Sequence, residues 1–249
     1  MLRDTSILTG RSLRHILRSP DTIITTAVTP IAIMLLFVFV FGGAIDTGSQ
    51  SYIDYMLPGI LLITIASGIA YTAYRLFTDL QGGIFERFQS MPISRSSGLW
   101  AHVLTSLVAN LAAVGIVIGV ALLLGFRSGA SVLGWLSVIG IVITFTLALT
   151  WLAVIAGLAA KSIEGATGFS YPLIFLPFIS SAFVPTDTMP GPVAWFAENQ
   201  PVTPIVDAIR AIFAQQPVGA ELGIALAWCI GILVAALVGA TVVYRRRFR

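Results

Sequence analysis

Residues 132–160 read VLGWLSVIGIVITFTLALTWLAVIAGLAA and contain no charged side chain. A helix needs roughly 20 predominantly apolar residues to cross the ~30 Å hydrocarbon core of a bilayer, and this stretch is long enough. Lipid offers backbone N–H and C=O groups no hydrogen-bond partner, so the stretch predicts a membrane-spanning helix. Strands of a membrane barrel would alternate polar and apolar side chains, which these residues do not.

The rest of the chain has the same character. Its 249 residues are 57% hydrophobic and 10% charged, whereas a soluble domain carries about 25% charged residues. The predicted spans are 22–44, 56–77, 99–124, 132–160, 166–184 and 222–244. We therefore expect an all-α integral membrane protein with six transmembrane helices in a single domain, 1–249. The first apolar run is longer than the 7–15 residues of a secretory signal, so we expect it to be retained.

Basic residues predict the orientation of these spans. Of 14 Lys and Arg residues, all but Arg127 and Arg210 fall in the N-terminal segment, the second and fourth connections and the C-terminal tail. Six spans place these regions on one face, and an excess of basic residues marks the cytoplasmic face. We expect both termini in the cytoplasm of a multi-pass protein of the plasma (inner) membrane. The net charge of +3 is spread over span ends, which argues against nucleic acid as a partner.

Three segments outside the spans have helical patterns. Segment 1–21 places its arginines and its leucines on opposite faces, which predicts an amphipathic helix at the membrane interface; a basic flank without fixed structure is the alternative. In the cytoplasmic segment 78–98, apolar residues recur every three to four positions, which favours a short amphipathic helix. That helix could dock in a groove of another protein or lie flat on lipid, and its periodicity favours neither.

The external segment 185–221 predicts two short helices separated by prolines. Isoleucines at 205, 209 and 212, with Val206 and Phe213, line one side of the second helix. Asp207 and Arg210 are three positions apart, so they could form an ion pair on that helix. We expect these helices to be re-entrant, dipping back into the outer leaflet before the last span.

Catalytic and metal-binding patterns are missing from the sequence. Lys161, the only lysine, lies in no glycine-rich phosphate loop. We place His15 and His102 far from any carboxylate cluster, so we expect no metal site. The spans carry no charged residue in their middle, which argues against a carrier driven by protons or sodium ions. We therefore expect no catalytic residues in this chain, and energy for uphill transport would have to come from a partner.

Two stretches resemble a known family. The stretch DLQGGIFERFQSMPISR, 79–95, resembles the corresponding segment of type-2 ABC transporter permeases, in particular the daunorubicin/doxorubicin-resistance permease group. The stretch SSAFVPTDTMPGPVAWFAENQPVTPIVDAIRAI, 180–212, resembles the segment after the fifth span of the same group. The chain departs from the group at Ala101 and His102, where glycine and arginine are expected. That departure argues against a contact role for His102.

The resemblance implies a function and a set of partners. It implies a permease subunit of an ATP-binding-cassette exporter that moves an amphipathic drug, a secondary metabolite or a lipid. The partners would be two copies of a separate ATPase subunit, a second permease subunit and membrane lipid. A homodimer of this chain is favoured over a heterodimer with a homologue. This chain would hold no cofactor, and ATP and Mg would bind in the partner ATPase. A polytopic membrane scaffold or assembly factor without transport activity is the alternative, and an intramembrane enzyme is disfavoured.

The resemblance also implies roles for individual residues. The implied ATPase-coupling residues are Asp79, Gly83, Glu86, Arg87, Phe88, Pro92 and Arg95. The implied external gate residues are Pro185, Met189, Pro190, Pro201, Asp207 and Arg210. Hydroxyl groups in apolar surroundings suggest a substrate path, although each could instead serve a helix–helix hydrogen bond. Those residues are Tyr71, Tyr74, Ser170, Tyr171 and Ser180.

Overall fold

The structure is a computed structural model that describes residues 21–42, 51–83 and 97–247. All regular structure within these ranges is helical. The longer helices are α1 (Asp21–Leu36), α2 (Tyr52–Gln81), α3 (Ser97–Leu123), α4 (Val132–Ala159) and, last in the chain, α9 (Ala220–Arg247). The shorter helices are α5 (Ile163–Gly168), α6 (Ser170–Phe175), α7 (Gly191–Asn199) and α8 (Val202–Phe213).

Four of these helices, α2, α3, α4 and α9, are long and apolar enough to cross a membrane. Their candidate spans are 27–30 residues long, which at about 1.5 Å per residue exceeds the ~30 Å hydrocarbon core. The protein is therefore an all-α membrane protein, as its sequence predicts. The count of six spans remains a prediction, because the other two apolar stretches, Thr26–Phe41 and Ile163–Ile179, are shorter.

The predicted fifth span, 166–184, is not one continuous helix, and its bounds need correction. Helix α5 begins at Ile163, α6 follows it directly, and a 3-10 helix, Leu176–Ile179, ends the helical stretch. Residues 180–184 form turns and a bend instead. Pro172 and Pro177 lack the N–H that a continuous helix requires, and Ser180 Oγ donates to the Pro177 carbonyl at 2.6 Å. The apolar segment predicted as one span is therefore broken into shorter helical pieces and ends at Ile179.

Helix α2 is also longer than its predicted span, 56–77. Hydropathy measures only the apolar part of a helix, whereas backbone hydrogen bonding continues into polar sequence at both ends. Asp54 consequently lies in the first turn of α2, and Asp79 lies near its C-terminal end. Asp79 therefore belongs to this helix rather than to a separate cytoplasmic segment 78–98.

Helix α2 is the centre of the fold, and α9 lies at its periphery. Helix α2 packs against α1, α3, α4, α5, α6 and α8 and is buried on almost every side from Tyr52 to Ala66. A helix that is apolar all round is typically enclosed by others. By contrast, α9 buries only four small residues and exposes a large apolar face, as expected of a helix beside lipid.

The helices present two distinct ends. Residues 51–55, 124–131 and 180–219 meet at one end, which we call the predicted external end; there Arg127 N lies 3.3 Å from Asp54 Oδ1, and Gly129 N donates to the Phe213 carbonyl at 2.9 Å. The C-terminal end of α2, the start of α3 and the end of α9 belong to the opposite, predicted cytoplasmic end. There Arg247 donates to the Leu158 carbonyl, joining α9 to α4.

Candidate functional site

Helices α7 and α8 confirm the predicted pair of short helices in the external segment. Pro190 precedes α7 and Pro201 precedes α8, so each helix begins beside a proline that cannot continue a preceding helix. The predicted apolar side of α8 is buried, from Ile205 through Phe213. It packs against α2, α4 and α9. This packing places the polar edge of α8 against the external end of α2.

Arg210 lies at the centre of a polar network on that edge. Its Nη1 lies 2.6 Å from Asp207 Oδ1, so the ion pair expected from the spacing is formed. Its Nε donates to the Tyr55 carbonyl at 3.1 Å, and its Nη2 donates to the Ser181 carbonyl at 2.7 Å. The guanidinium carbon lies 3.8 Å from the centre of the Tyr55 ring, a cation–π contact. One side chain therefore connects α8, α2 and the turn that follows the broken segment.

The turn at Ser180–Phe183 receives further hydrogen bonds. Ser181 Oγ donates to Asp207 Oδ1 at 2.7 Å, and the Ser181 N–H donates to Thr203 Oγ1 at 3.3 Å. Thr203 Oγ1 in turn donates to the Ala197 carbonyl of α7 at 2.5 Å. We call Tyr55, Ser181, Thr203, Asp207 and Arg210 the Arg210 network. Its members fix the turn against both α2 and the α7–α8 pair.

Burial controls the electrostatics of the ion pair in this network. Burial raises the pKa of the Asp207 carboxyl, while the hydrogen bond from Ser181 and the charge of Arg210 oppose that shift. Burial likewise lowers the pKa of Arg210, opposed by Tyr55 and Asp207. Both directions reflect the cost of removing a charge from water, and the close contact between the groups offsets it. Removing either partner would leave an uncompensated buried charge.

The other predicted gate residues shape the backbone around this network. Pro185 precedes a 3-10 turn at Thr186–Thr188, and Met189 follows that turn. The Val193 N–H donates to the Pro190 carbonyl at 2.8 Å. These residues set the ends of local elements, and only Asp207 and Arg210 of the predicted gate set belong to the network. Sequence reasoning missed Tyr55 and Thr203, because no local pattern shows that α2 and α7–α8 meet there.

A cavity of about 320 Å³ adjoins the network at the same end. Its lining includes Asp54 and Arg127 beside Arg210, and Phe126 packs edge-to-face on Phe213 at 5.2 Å. The cavity at the predicted external end is therefore lined by both charged and aromatic side chains.

A second set of polar contacts runs along the interface between α2 and α3. At the predicted cytoplasmic end, His102 Nε2 lies 3.1 Å from Asp79 Oδ2. Deeper in the bundle, the hydroxyl oxygens of Thr72 and Ser106 lie 2.5 Å apart. Deeper still, Asn110 packs against Gly68. We call these three pairs the α2–α3 polar row.

The contact of His102 with Asp79 corrects one expectation from the sequence, in which the departure from the family pattern argued against a contact role for this histidine. The predicted span 56–77 ended before Asp79, so no local pattern placed the two side chains together. Because α2 continues to Gln81 and α3 begins at Ser97, the two antiparallel helices bring the side chains together.

The amide of Asn110 is buried without complete hydrogen bonding. Its Nδ2 donates to the Ser106 carbonyl at 2.9 Å and to Ser106 Oγ at 3.2 Å. Its Oδ1 has no hydrogen-bond partner among the described residues. A Cβ atom on Gly68 would lie 2.1 Å from that oxygen. The absence of a side chain at Gly68 is therefore what allows Asn110 to occupy the helix interface.

The predicted coupling residues are only partly within the described ranges. Asp79 contacts His102, and Gly83 adopts a positive φ of 69° just after α2 ends, a conformation that favours glycine. The remaining predicted coupling residues lie outside the described residues: Glu86, Arg87, Phe88, Pro92 and Arg95. Their role stays a prediction.

The hydroxyl groups of the predicted substrate path do not form one site. Tyr71 and Tyr74 lie together on α2 with ring centres 6.1 Å apart. Ser170 Oγ donates to the Thr167 carbonyl at 2.7 Å, and Ser180 Oγ binds the carbonyl of Pro177. Tyr171 is 62% exposed on the outer surface of the bundle. The two serine hydroxyls thus satisfy local backbone carbonyls, and a substrate role for all five residues stays a prediction.

Comparison with known proteins identifies the family to which this chain belongs. Residues 3–214 match the family model described as ABC-2 type transporter. The chain is 27% identical over 229 residues to the daunorubicin resistance ABC transporter permease protein DrrB1 of Streptomyces coeruleorubidus, covering 90% of this chain and 77% of that protein. It is 26% identical over 243 residues to the probable doxorubicin resistance ABC transporter permease protein DrrC of Mycobacterium tuberculosis, covering 97% and 88%. With most of its length matched, this chain belongs to the ABC-2 type transporter family.

Proposed function

We propose that this chain is the membrane-spanning permease subunit of an ATP-binding-cassette exporter. The observation that carries the proposal is the family match over residues 3–214, combined with relatives that are drug-resistance permeases along nearly the whole chain. Apolar helices of spanning length suit a subunit that provides a path through the membrane. ATP with Mg would be hydrolysed by a separate ATPase subunit, so the chain itself would not act as an enzyme.

The cargo in this proposal is an amphipathic drug, a secondary metabolite or a lipid. The relatives are named as a daunorubicin resistance permease and a probable doxorubicin resistance permease, which supports an amphipathic substrate. Two ATPase copies and a second copy of this permease would complete the transporter in the plasma membrane. The alternative, a scaffold or assembly factor without transport, predicts assembly with partners but no ATP-dependent movement of substrate.

The two ends of the molecule would have separate tasks. The connection between α2 and α3 would couple the ATPase to the bundle through residues 84–96. The Arg210 network would hold the outer segment closed, because it joins α2, the Ser180–Phe183 turn and α8 through buried contacts.

Reconstitution tests this function directly. The chain is co-purified with a candidate partner ATPase subunit, placed in liposomes and supplied with ATP and a fluorescent amphipathic drug. We expect ATP-dependent drug movement and no ATP hydrolysis by the permease alone.

Phe88→Ala should weaken ATPase retention or reduce transport per ATP, because loss of a central apolar anchor commonly costs at least ~2 kcal/mol of binding. The double variant Glu86→Ala/Arg87→Ala should impair transport more than expression. Assembly without any drug or lipid movement would favour the scaffold alternative.

Orientation is tested by cysteine labelling in intact cells. Thr188 and Lys161 are both exposed and lie in connections assigned to opposite faces. In a background in which buried Cys229 is replaced by Ala, Thr188→Cys should react with an impermeant reagent from outside. Lys161→Cys should react only after the cells are opened. Labelling of Lys161→Cys from outside would contradict cytoplasmic termini.

A further inference from the structure

The contact between Asp79 and His102 joins the end of α2 to the start of α3, on either side of the connection between the two helices. Asp79 lies in the last turn of α2, and His102 lies in the second turn of α3. Their side chains are 29% and 14% exposed, so both are partly removed from water. A contact between an imidazole N–H and a carboxylate in that setting competes less with water than one on an open surface.

The pair is the outermost contact of the α2–α3 polar row. Along α2, Gly68, Thr72 and Asp79 are separated by four and seven residues. Along α3, His102, Ser106 and Asn110 are separated by four residues each. Such spacings place each set on one face of its helix. The contact at the base is therefore in line with one buried hydrogen bond between the two helices, Thr72 to Ser106, and with the packing of Asn110 on Gly68.

The neighbouring charge on α2 has a different contact. Arg75 lies one turn before Asp79, and its guanidinium carbon lies 5.9 Å from the centre of the Tyr71 ring. The carboxylate of Asp79, in contrast, faces α3. A charge directed across the helix interface, rather than along its own helix, fixes the distance between the two helices.

We propose that His102 is a positioning residue that holds the Asp79 carboxylate and thereby makes the ends of α2 and α3 move as one unit. A force on residues 84–96 then shifts both helices together instead of separating them at the base of the connection. This inference rests on the proposed function, because it assigns a coupling task to that connection. It differs from a contact with the ATPase, since His102 acts through Asp79.

The test compares five variants with a matched control. The variants are His102→Ala, Asp79→Ala, the double variant Asp79→Ala/His102→Ala, His102→Arg and the exchange Asp79→His/His102→Asp. The control is Leu104→Ala, at a half-buried position on the opposite side of α3. Transport per ATP hydrolysed is measured in liposomes at matched protein levels, and thermal unfolding is measured on each isolated permease.

We expect His102→Ala and Asp79→Ala each to lower transport per ATP about fivefold, the factor that corresponds to ~1 kcal/mol of lost contact energy. His102→Arg should restore most of the ratio because the guanidinium can also donate a hydrogen bond to the Asp79 carboxylate, and the exchange should restore part of it. Leu104→Ala should leave the ratio unchanged. A ratio equal to wild type in both alanine variants would overturn the proposal, as would failure of both the arginine variant and the exchange to improve on His102→Ala.

The unfolding data separate this inference from the proposed function. If the wild-type permease shows no ATP-dependent transport with its ATPase, the proposed function fails. The positioning role is then decided by the Asp79/His102 double-mutant cycle in unfolding midpoints. Non-additive midpoints retain the role of the pair in joining α2 to α3, and additive midpoints overturn it. If an alanine variant does not fold, the unfolding midpoints and the transport per ATP of His102→Arg and of the exchange decide the positioning role instead.

Discussion

The two ends of α2 are held by different chemistry. At the predicted external end, one buried guanidinium contacts α2, α8 and the Ser180–Phe183 turn through three hydrogen bonds and a ring contact. Toward the other end, α2 and α3 meet through the part-exposed contact of His102 with Asp79, then through the hydroxyl groups of Thr72 and Ser106, and then where Asn110 packs on Gly68. The first arrangement concentrates the interaction in one residue, and the second distributes it along a helix interface. Mutations should therefore have larger effects at the external end than along the α2–α3 polar row.

Arg210→Ala should have the largest effect. The substitution removes the hydrogen bonds and the ring contact of the guanidinium and leaves the Asp207 carboxylate, whose side chain is 33% exposed, without its cation. Because partial exposure to water reduces the cost of an unpaired charge, we expect a loss of about 2–3 kcal/mol. We expect a strongly lowered unfolding midpoint and reduced amounts of protein in the membrane. Thermal unfolding in detergent measures the effect.

Arg127→Ala is the matched control for that prediction. Arg127 lies at the same end but is exposed, and it donates to the carbonyls of Leu122 and Phe126. Its loss should cost no more than about 1 kcal/mol. Equal midpoints for the two alanine variants would show that the Arg210 network does not dominate the external end.

Gly68→Ala should have the next largest effect. The new Cβ would lie 2.1 Å from Asn110 Oδ1 and 2.9 Å from Asn110 Cγ. Overpacking of this kind typically costs about 1–3 kcal/mol. The unfolding midpoint measures the loss, and adding Asn110→Ala should recover part of it because the oxygen is gone. Gly140→Ala on α4 is the control, since a Cβ there meets nothing within 4 Å. Additivity of Gly68→Ala and Asn110→Ala would rule out this contact as the cause.

Thr72→Val should have the smallest effect of the three. It keeps the shape of the side chain and removes the hydroxyl that lies 2.5 Å from Ser106 Oγ. Hydrogen bonds between membrane helices average about 0.6 kcal/mol in double-mutant cycles, and Ser106 retains its contact with Asn110. A double-mutant cycle with Ser106→Ala measures the coupling. A loss as large as that of Arg210→Ala would remove the contrast between the two ends.

The broken segment after α4 shows where sequence patterns stop being sufficient. Pro172 and Pro177 predict a bend, and membrane helices often continue through a proline when neighbours satisfy the freed backbone groups. Here the Ile179 carbonyl accepts a hydrogen bond from Gln200 Nε2 at 3.3 Å, and Ser181 is held by Thr203 and Asp207. Those partners lie about twenty residues further along the chain. The choice between a bent span and a terminated helix therefore depended on tertiary contacts.

The sequence by itself determined the features whose causes are local. Apolar runs determined α2, α3, α4 and α9, because lipid tolerates only internally hydrogen-bonded backbone. Prolines and a repeating apolar side determined the α7–α8 pair, and a spacing of three residues determined the contact of Asp207 with Arg210. Only the tertiary structure decided that Arg210 also binds α2 and the Ser180–Phe183 turn, and that His102 meets Asp79. Residues distant in sequence meet through the packing of whole helices, and no local periodicity encodes which polar edges those helices bring together.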